Sequence, residues 1–258
     1  MADSAQMPKN PLKLSKETDS PGHSLEVHHL SHDLRGPLNS ILGFSELLLE
    51  GIEGPLNETQ AEDISAIYQS AQSLLLLINN IVDISKIEAE RITFDFGSVD
   101  LKAILQNVAQ FDFGAKMPPQ LELDIIYDHR LPLVWGDVLR IEQALLNLIR
   151  FAFNIKRTGR ITLTATDEGQ TVNIVLTIAE VVLSAEEERN LFELTVMMDE
   201  NGRSELSKGG LELPLARGLI ESQGGQIWAE SHEDTGTILH IKLPSHKYKI
   251  NNDQTTTT

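Results

Sequence analysis

The sequence has no cysteine, which excludes disulfides, thiol nucleophiles and thiolate metal sites and suits a reducing compartment. Basic residues are also scarce: 21 Lys and Arg stand against 38 Asp and Glu, a formal net charge of −17. That balance argues against nucleic acid and anionic membranes as partners, because phosphates are met by Lys and Arg. Long apolar runs are missing too. No stretch approaches the roughly 20 residues that span a bilayer, and the polar N-terminus lacks the apolar core of a signal peptide, so a cytoplasmic protein is expected. What is present is apolar content of 41% over 258 residues, enough for a sizeable core in one large or two modest domains.

The chain is organised around Ser31-His32-Asp33-Leu34-Arg35-Gly36-Pro37-Leu38. Val27, Leu30, Leu34, Leu38, Ile41 and Leu48 recur at the three-and-four spacing of a helical stripe, and His32 lies off it. An imidazole is partly neutral near neutral pH, so a ring nitrogen can attack phosphorus while an adjacent carboxylate fixes the tautomer. Asp33 is the candidate for that part. Pro37 lacks an N–H, so the Asp33 carbonyl loses its helical partner and a bend is expected one turn past the histidine. His23, His28 and His29 lie close by in sequence, and His28 is one turn from His32, a spacing that can grip a metal. No third ligand is clearly placed to complete a shell, and no resident metal is expected.

Residues 1–22 carry Pro8, Pro11 and Pro21 without periodicity and are expected to be a disordered tail, as is 247–258. A first helix is predicted over 24–50 and a turn over 51–57. In the second helix, 58–90, Ile64, Ile67, Ala71, Leu74, Ile78 and Ile81 keep heptad spacing, widened by Leu75 and Val82. Two helices alone cannot bury so wide a face, so a homodimeric four-helix bundle is the economical solution, with a hairpin covered by the C-terminal half as the alternative. Residues 91–96 read as a strand or linker. Beyond them the pattern is mixed: helices over 101–115, 137–155, 185–194 and 211–222, with Asp137 as an N-cap, and strands over 121–127, 161–166, 172–178, 226–231 and 237–243. Residues 195–210 are expected to be a mobile loop.

Residues 31–47 resemble the phosphoacceptor box of two-component sensor histidine kinases, and Asp83-Ile84-Ser85-Lys86-Ile87-Glu88-Ala89 is similar to that family's close of the second helix. The resemblance implies a helical hairpin forming a dimeric four-helix bundle over 23–98, followed over 99–246 by an α/β sandwich of the histidine-kinase ATPase type. The same resemblance exposes departures. Gln143 to Ala152 looks like the helix in which two asparagines one turn apart face Mg²⁺ and the phosphates; Asn147 stands at the first and Phe151 at the second, and a phenyl ring offers that ion no oxygen. Glu180 stands in for an adenine-binding Asp, but Val181 and Val182 follow where glycines are expected. Gly209 and Gly210 are what remains of a Gly-rich loop, and Glu212 carries negative charge towards the phosphates. Gly36 occupies the place of the Thr or Asn that orients water in regulator phosphatases, so phosphatase activity should be weak.

These residues imply a degenerate kinase that relays phosphoryl groups through His32, with Asp33 beside it, from an upstream donor kinase to the aspartate of a response-regulator receiver domain. Two alternatives stay open: a divergent kinase that still uses ATP, and a module that binds a regulator or an active kinase without chemistry. No cofactor is expected; ATP and Mg²⁺ enter only if the site of Asn147, Glu180, Gly209 and Gly210 still functions.

Overall fold

The computed structural model describes residues 22–52, 54–111, 113, 117–194, 196–198, 204–206 and 208–247, with backbone only for 22–30, 196–198 and 204–206. The tails expected to be disordered lie outside these residues, apart from positions 22 and 247. The chain forms two compact units, divided between Arg91 and Ile92.

The first unit is a helical hairpin of α1 (Gly22–Leu49) and α2 (Glu58–Glu88). Asn57 opens α2 through a capping box: its side chain accepts from the Gln60 N–H at 2.9 Å, and its own N–H donates to the Gln60 side chain at 3.1 Å. The helix stops at a left-handed Glu90, φ 53°, whose turn is closed by the Arg91 N–H on the Lys86 carbonyl. α1 continues through Pro37.

The apolar stripes divide into two lines. Ser31, Leu38 and Ser45, seven residues apart, are buried along one line of α1, and Leu38 packs with Ala71 and Ile78 of α2, flanked by Leu42 and Leu75. The second line stays exposed: Leu34 and Ile41 on α1, and Ile67, Leu74 and Ile81 on α2, again at seven-residue intervals. The expected α1 stripe therefore needs correction, because serines rather than Leu34 and Ile41 share the buried line with Leu38. Small side chains suit a line where two helices approach closely, and hydrophobicity alone does not single them out.

In the second unit, α4 (Val138–Ile155), α6 (Glu212–Glu221) and α3 (Leu101–Gln110) cover one face of a five-stranded sheet. Its strands are β2 (Gln120–Tyr127), β4 (Thr158–Asp167), β5 (Thr171–Ile178), β8 (Gln226–His232) and β9 (Gly236–Pro244). The order is β2-β4-β5-β9-β8, with β2 parallel to β4 and every other pair antiparallel. Burial alternates: Ile161, Leu163 and Ala165, then Val172, Ile174, Leu176 and Ile178, then Leu239, Ile241 and Leu243 face the core. The turn of Asp167 to Gln170 closes its hairpin through the Gly169 N–H on Asp167 Oδ1, 2.7 Å.

Several expectations change here. Residues 92–98 belong to the second unit: the Asp95 N–H donates to Asp137 Oδ2 at 2.8 Å, and β1 (Gly97–Val99) pairs with β3 (Val134–Gly136). Phe94, Phe96, Trp135 and His246 form a column of ring contacts, with centroid distances of 5.4, 6.3 and 5.5 Å. α3 ends at Gln110 rather than 115; Phe111 turns extended, and Phe113 packs edge-on against Phe153 at 5.0 Å. α5 spans only Ala185–Asn190. Within the expected loop, β6 (Val196–Met198) pairs with β7 (Ser204–Leu206).

On the outer sheet face Trp228 stacks on His240, with centroids 4.7 Å apart. Neither ring nitrogen of His240 has a hydrogen-bond partner among the described residues; Glu230, 4.0 Å away, and Lys242 and Glu168 are its charged neighbours. Burial lowers this imidazole below its ordinary value of 6.5, and Lys242 adds to that, while Glu230 and Glu168 oppose it. Between the lowered value and 6.5 the unfolded chain binds more protons, so the native state loses stability as pH falls through 6.5. We expect His240→Phe, which keeps a ring against Trp228, to melt with a shallower pH dependence than wild type between about pH 7 and 5. Parallel melting curves for the two proteins would contradict this.

Candidate functional site

In the hairpin, His32 is 83% and Asp33 80% exposed, and Asp33 Oδ1 lies 3.7 Å from His32 Nδ1. This is beyond hydrogen-bond length and within the range of a charge contact. Because the carboxylate lies on the Nδ1 side, it favours a proton there and leaves the Nε2 lone pair outward. Arg35, one turn on, donates from Nε and Nη2 to Asn79 Oδ1 of α2 at 3.2 and 2.9 Å. No local sequence pattern announces this bond. The signal is one of scarcity: Arg35 is the sole Lys or Arg between Lys16 and Lys86. A Cβ added at Gly36 would meet nothing within 4 Å, so packing does not exclude the missing Thr or Asn. The side chains of His23, His28 and His29 lie outside the described residues.

In the second unit, Asp137 caps α4, accepting from the Leu139 and Arg140 N–H groups at 2.9 and 3.2 Å. That helix buries both Asn147 and Phe151 to 1% exposure. Asn147 Oδ1 accepts from Arg150 Nη1 at 3.3 Å, and its buried Nδ2 has no partner among the described residues. The Arg150 guanidinium lies 5.6 Å from the centre of the Phe111 ring. Its pKa is lowered by burial, and the nearby charge of Glu212 opposes that shift. Phe151 offers Mg²⁺ no oxygen, so the side chains present do not fit that ion as the resemblance would have it.

Glu180, at the adenine-ligand position of the resemblance, pairs with a cation of its own domain. Its backbone is left-handed, φ 66°, the conformation that favours glycine, and its side chain is 85% exposed. Its carboxylate pairs at 3.0 Å with Lys156 Nζ, which also donates to the Ala179 carbonyl at 2.8 Å. Lys156 caps the C-terminal end of α4 and is itself buried, so Glu180 neutralises an otherwise buried cation. The following residues are tied to β8 and β9: Thr237 Oγ1 donates to the Val181 carbonyl at 2.7 Å, and the Leu183 N–H to Ser231 Oγ at 2.8 Å.

The two glycines have structural uses. A side chain at Gly209 would collide with the Leu191 carbonyl, and Gly210, φ 59°, lies under the carboxylate of Glu212. α6 opens at Leu211 with no side-chain cap, and Glu212 is in its first turn. The packing of α4 on α6 thus brings Asn147, Arg150, Gly210 and Glu212 to one region, while Glu180 turns to Lys156.

Residues 23–90 match the His Kinase A (phospho-acceptor) domain, and residues 136–247 match the histidine kinase-, DNA gyrase B-, and HSP90-like ATPase domain. The sensor protein GacS of Pseudomonas syringae pv. syringae is 32% identical over 232 residues, 88% of this chain and 25% of GacS. The chain belongs to the two-component sensor histidine kinase family. It spans about a quarter of the length of GacS. The chain also shares its fold with full-length ShkA in complex with AMPPNP, at a TM-score of 0.65 and 23% identity, covering 86% of this chain and 46% of ShkA. The likeness extends to ThkA in complex with the response regulator protein TrrA, at 0.57 and 23%, covering 87% of this chain and 62% of that one. As in the family, a helical phosphoacceptor region precedes an α/β ATPase-type domain. Among the described residues no helix is long and apolar enough to cross a membrane.

Proposed function

We propose that this chain is a dimeric phosphotransfer protein of two-component signalling, cytoplasmic and without autokinase activity of its own. The observation that carries the reading is Phe151: a fully buried phenyl ring stands where an oxygen ligand to Mg²⁺ is needed. Glu180, committed to Lys156, and Glu212, beside the glycines, support it from two further directions. His32 is meanwhile free to work. Its Nε2 bonds to the phosphorus of a donor's phosphohistidine or phosphoaspartate, the donor's own bond to that phosphorus breaks, and the donor side chain leaves unphosphorylated. In the second step a receiver-domain aspartate attacks the same phosphorus and His32 is released. The ATPase-type domain then serves as a docking surface for the receiver or donor.

A second reading, a divergent kinase that uses ATP, draws on Asn147, whose buried Nδ2 has no partner among the described residues, and on the retained Gly209-Gly210. Titration calorimetry with Mg-ATP decides between them. We expect no binding tighter than about millimolar, because a nucleotide held without its metal ligand loses the interaction that positions its phosphates. A dissociation constant at or below about micromolar, or labelling of His32 by ATP alone, would establish the kinase reading instead.

A further inference from the structure

We propose that Asn79 is a positioning residue that holds the Arg35 guanidinium where it meets a phosphoryl group on His32; this rests on His32 being the phosphoacceptor. Residues three apart on a helix are surface neighbours, so Arg35 flanks His32 on the side towards α2. There its Nε and Nη2 both reach the one oxygen of Asn79, at 3.2 and 2.9 Å. Those two bonds use one edge of the fork and leave the Nη1 end uncommitted.

Charge makes this arginine singular. Between Lys16 and Lys86 it is the sole Lys or Arg, while Asp33, next to His32, is anionic. An incoming phosphoryl group spreads negative charge over its three oxygens as it transfers, and with His32 83% exposed no buried pocket supplies compensating dipoles. Arg35 is the one cation of the hairpin within a turn of that charge. The nature of its partner matters as well. A carboxylate at position 79 would orient the guanidinium but cancel its charge, whereas an amide oxygen orients it and leaves the full charge available. Among the described residues no carboxylate pairs with Arg35.

The test uses the full chain and phosphoramidate, a small donor whose phosphorus–nitrogen bond breaks as His32 bonds to phosphorus and ammonia leaves. Initial rates of phosphohistidine formation against donor concentration separate kcat from KM, and melting temperature reports on folding. Wild type should label. Arg35→Ala should lower kcat by roughly 10²-fold, the size found when one charge-stabilising donor is removed. Asn79→Ala should lower it by about 10-fold with KM little changed, since the arginine remains but wanders. Asn79→Asp is the discriminating variant. It holds Arg35 at least as firmly, so the melting temperature should not fall, yet labelling should slow because the charge is neutralised. If Asn79→Asp labels as fast as wild type while Asn79→Ala is slow, Asn79 is only a structural clamp and the proposal is overturned. Wild-type rates in Arg35→Ala would overturn it equally. Failure of wild type to label on His32 would instead remove the phosphoacceptor reading itself, and this inference with it.

Discussion

His32→Ala is expected to abolish phosphoryl labelling by any donor while leaving secondary structure and dimer intact. The side chain is 83% exposed, so its loss removes almost no packing. The label on wild type should be stable in base and lost in acid, because a protonated imidazole is a good leaving group from phosphorus. Asp33→Asn should slow labelling without stopping it, within the roughly 10²–10⁴-fold that positioned acid–base groups contribute. Gel autoradiography before and after acid treatment, with mass-spectrometric mapping of the site, checks all of this. Undiminished label in His32→Ala would move the acceptor elsewhere, with His28 and His29 the next histidines to replace.

Leu74→Asp is expected to give the second large effect, converting a homodimer to monomer. Leu74 is 48% exposed in the single chain, in line with Ile67 and Ile81, so an aspartate there costs the isolated hairpin little. In a four-helix bundle the same position is buried against the partner, and an unpaired carboxylate costs several kcal/mol unless it is protonated. The contrast distinguishes interface from core: Ile78→Asp, at a position already buried against α1, should unfold the hairpin itself. Sedimentation velocity together with circular dichroism reads both. A wild-type chain that sediments as a monomer at micromolar concentration, or a Leu74→Asp variant that remains dimeric, would reject the bundle.

How much of this fold is legible in the sequence follows from how far apart the interacting residues are. The heptad on α2 was legible because a period is a local property, set by the helix's own geometry. The helix starts at Asn57 and Asp137 are also local, since an N-cap bonds within its own first turn. By contrast, β1 and β3 are short strands 37 residues apart that exist only as each other's partner, as the pairing of Gly97 with Gly136 and Val99 with Val134 shows. Periodicity has nothing to register in three residues.

The candidate site divides in the same way. His32 beside Asp33, a phenyl ring rather than an oxygen ligand at Phe151 and the charge at Glu212 are matters of residue type at a position, and they can be read without a structure. Family membership follows from the same kind of information, carried by contiguous runs. That Glu180 pairs with Lys156, 24 residues away, and that Arg35 is tied to Asn79 across 44 residues emerge from the folded chain alone. Folding also set which line of each helix is buried within one chain, the serine-containing one on α1, and which stays exposed. Side-chain identity fixes what a group can do, whereas its neighbours, which settle what it does, are brought to it by the folding of distant segments onto one another.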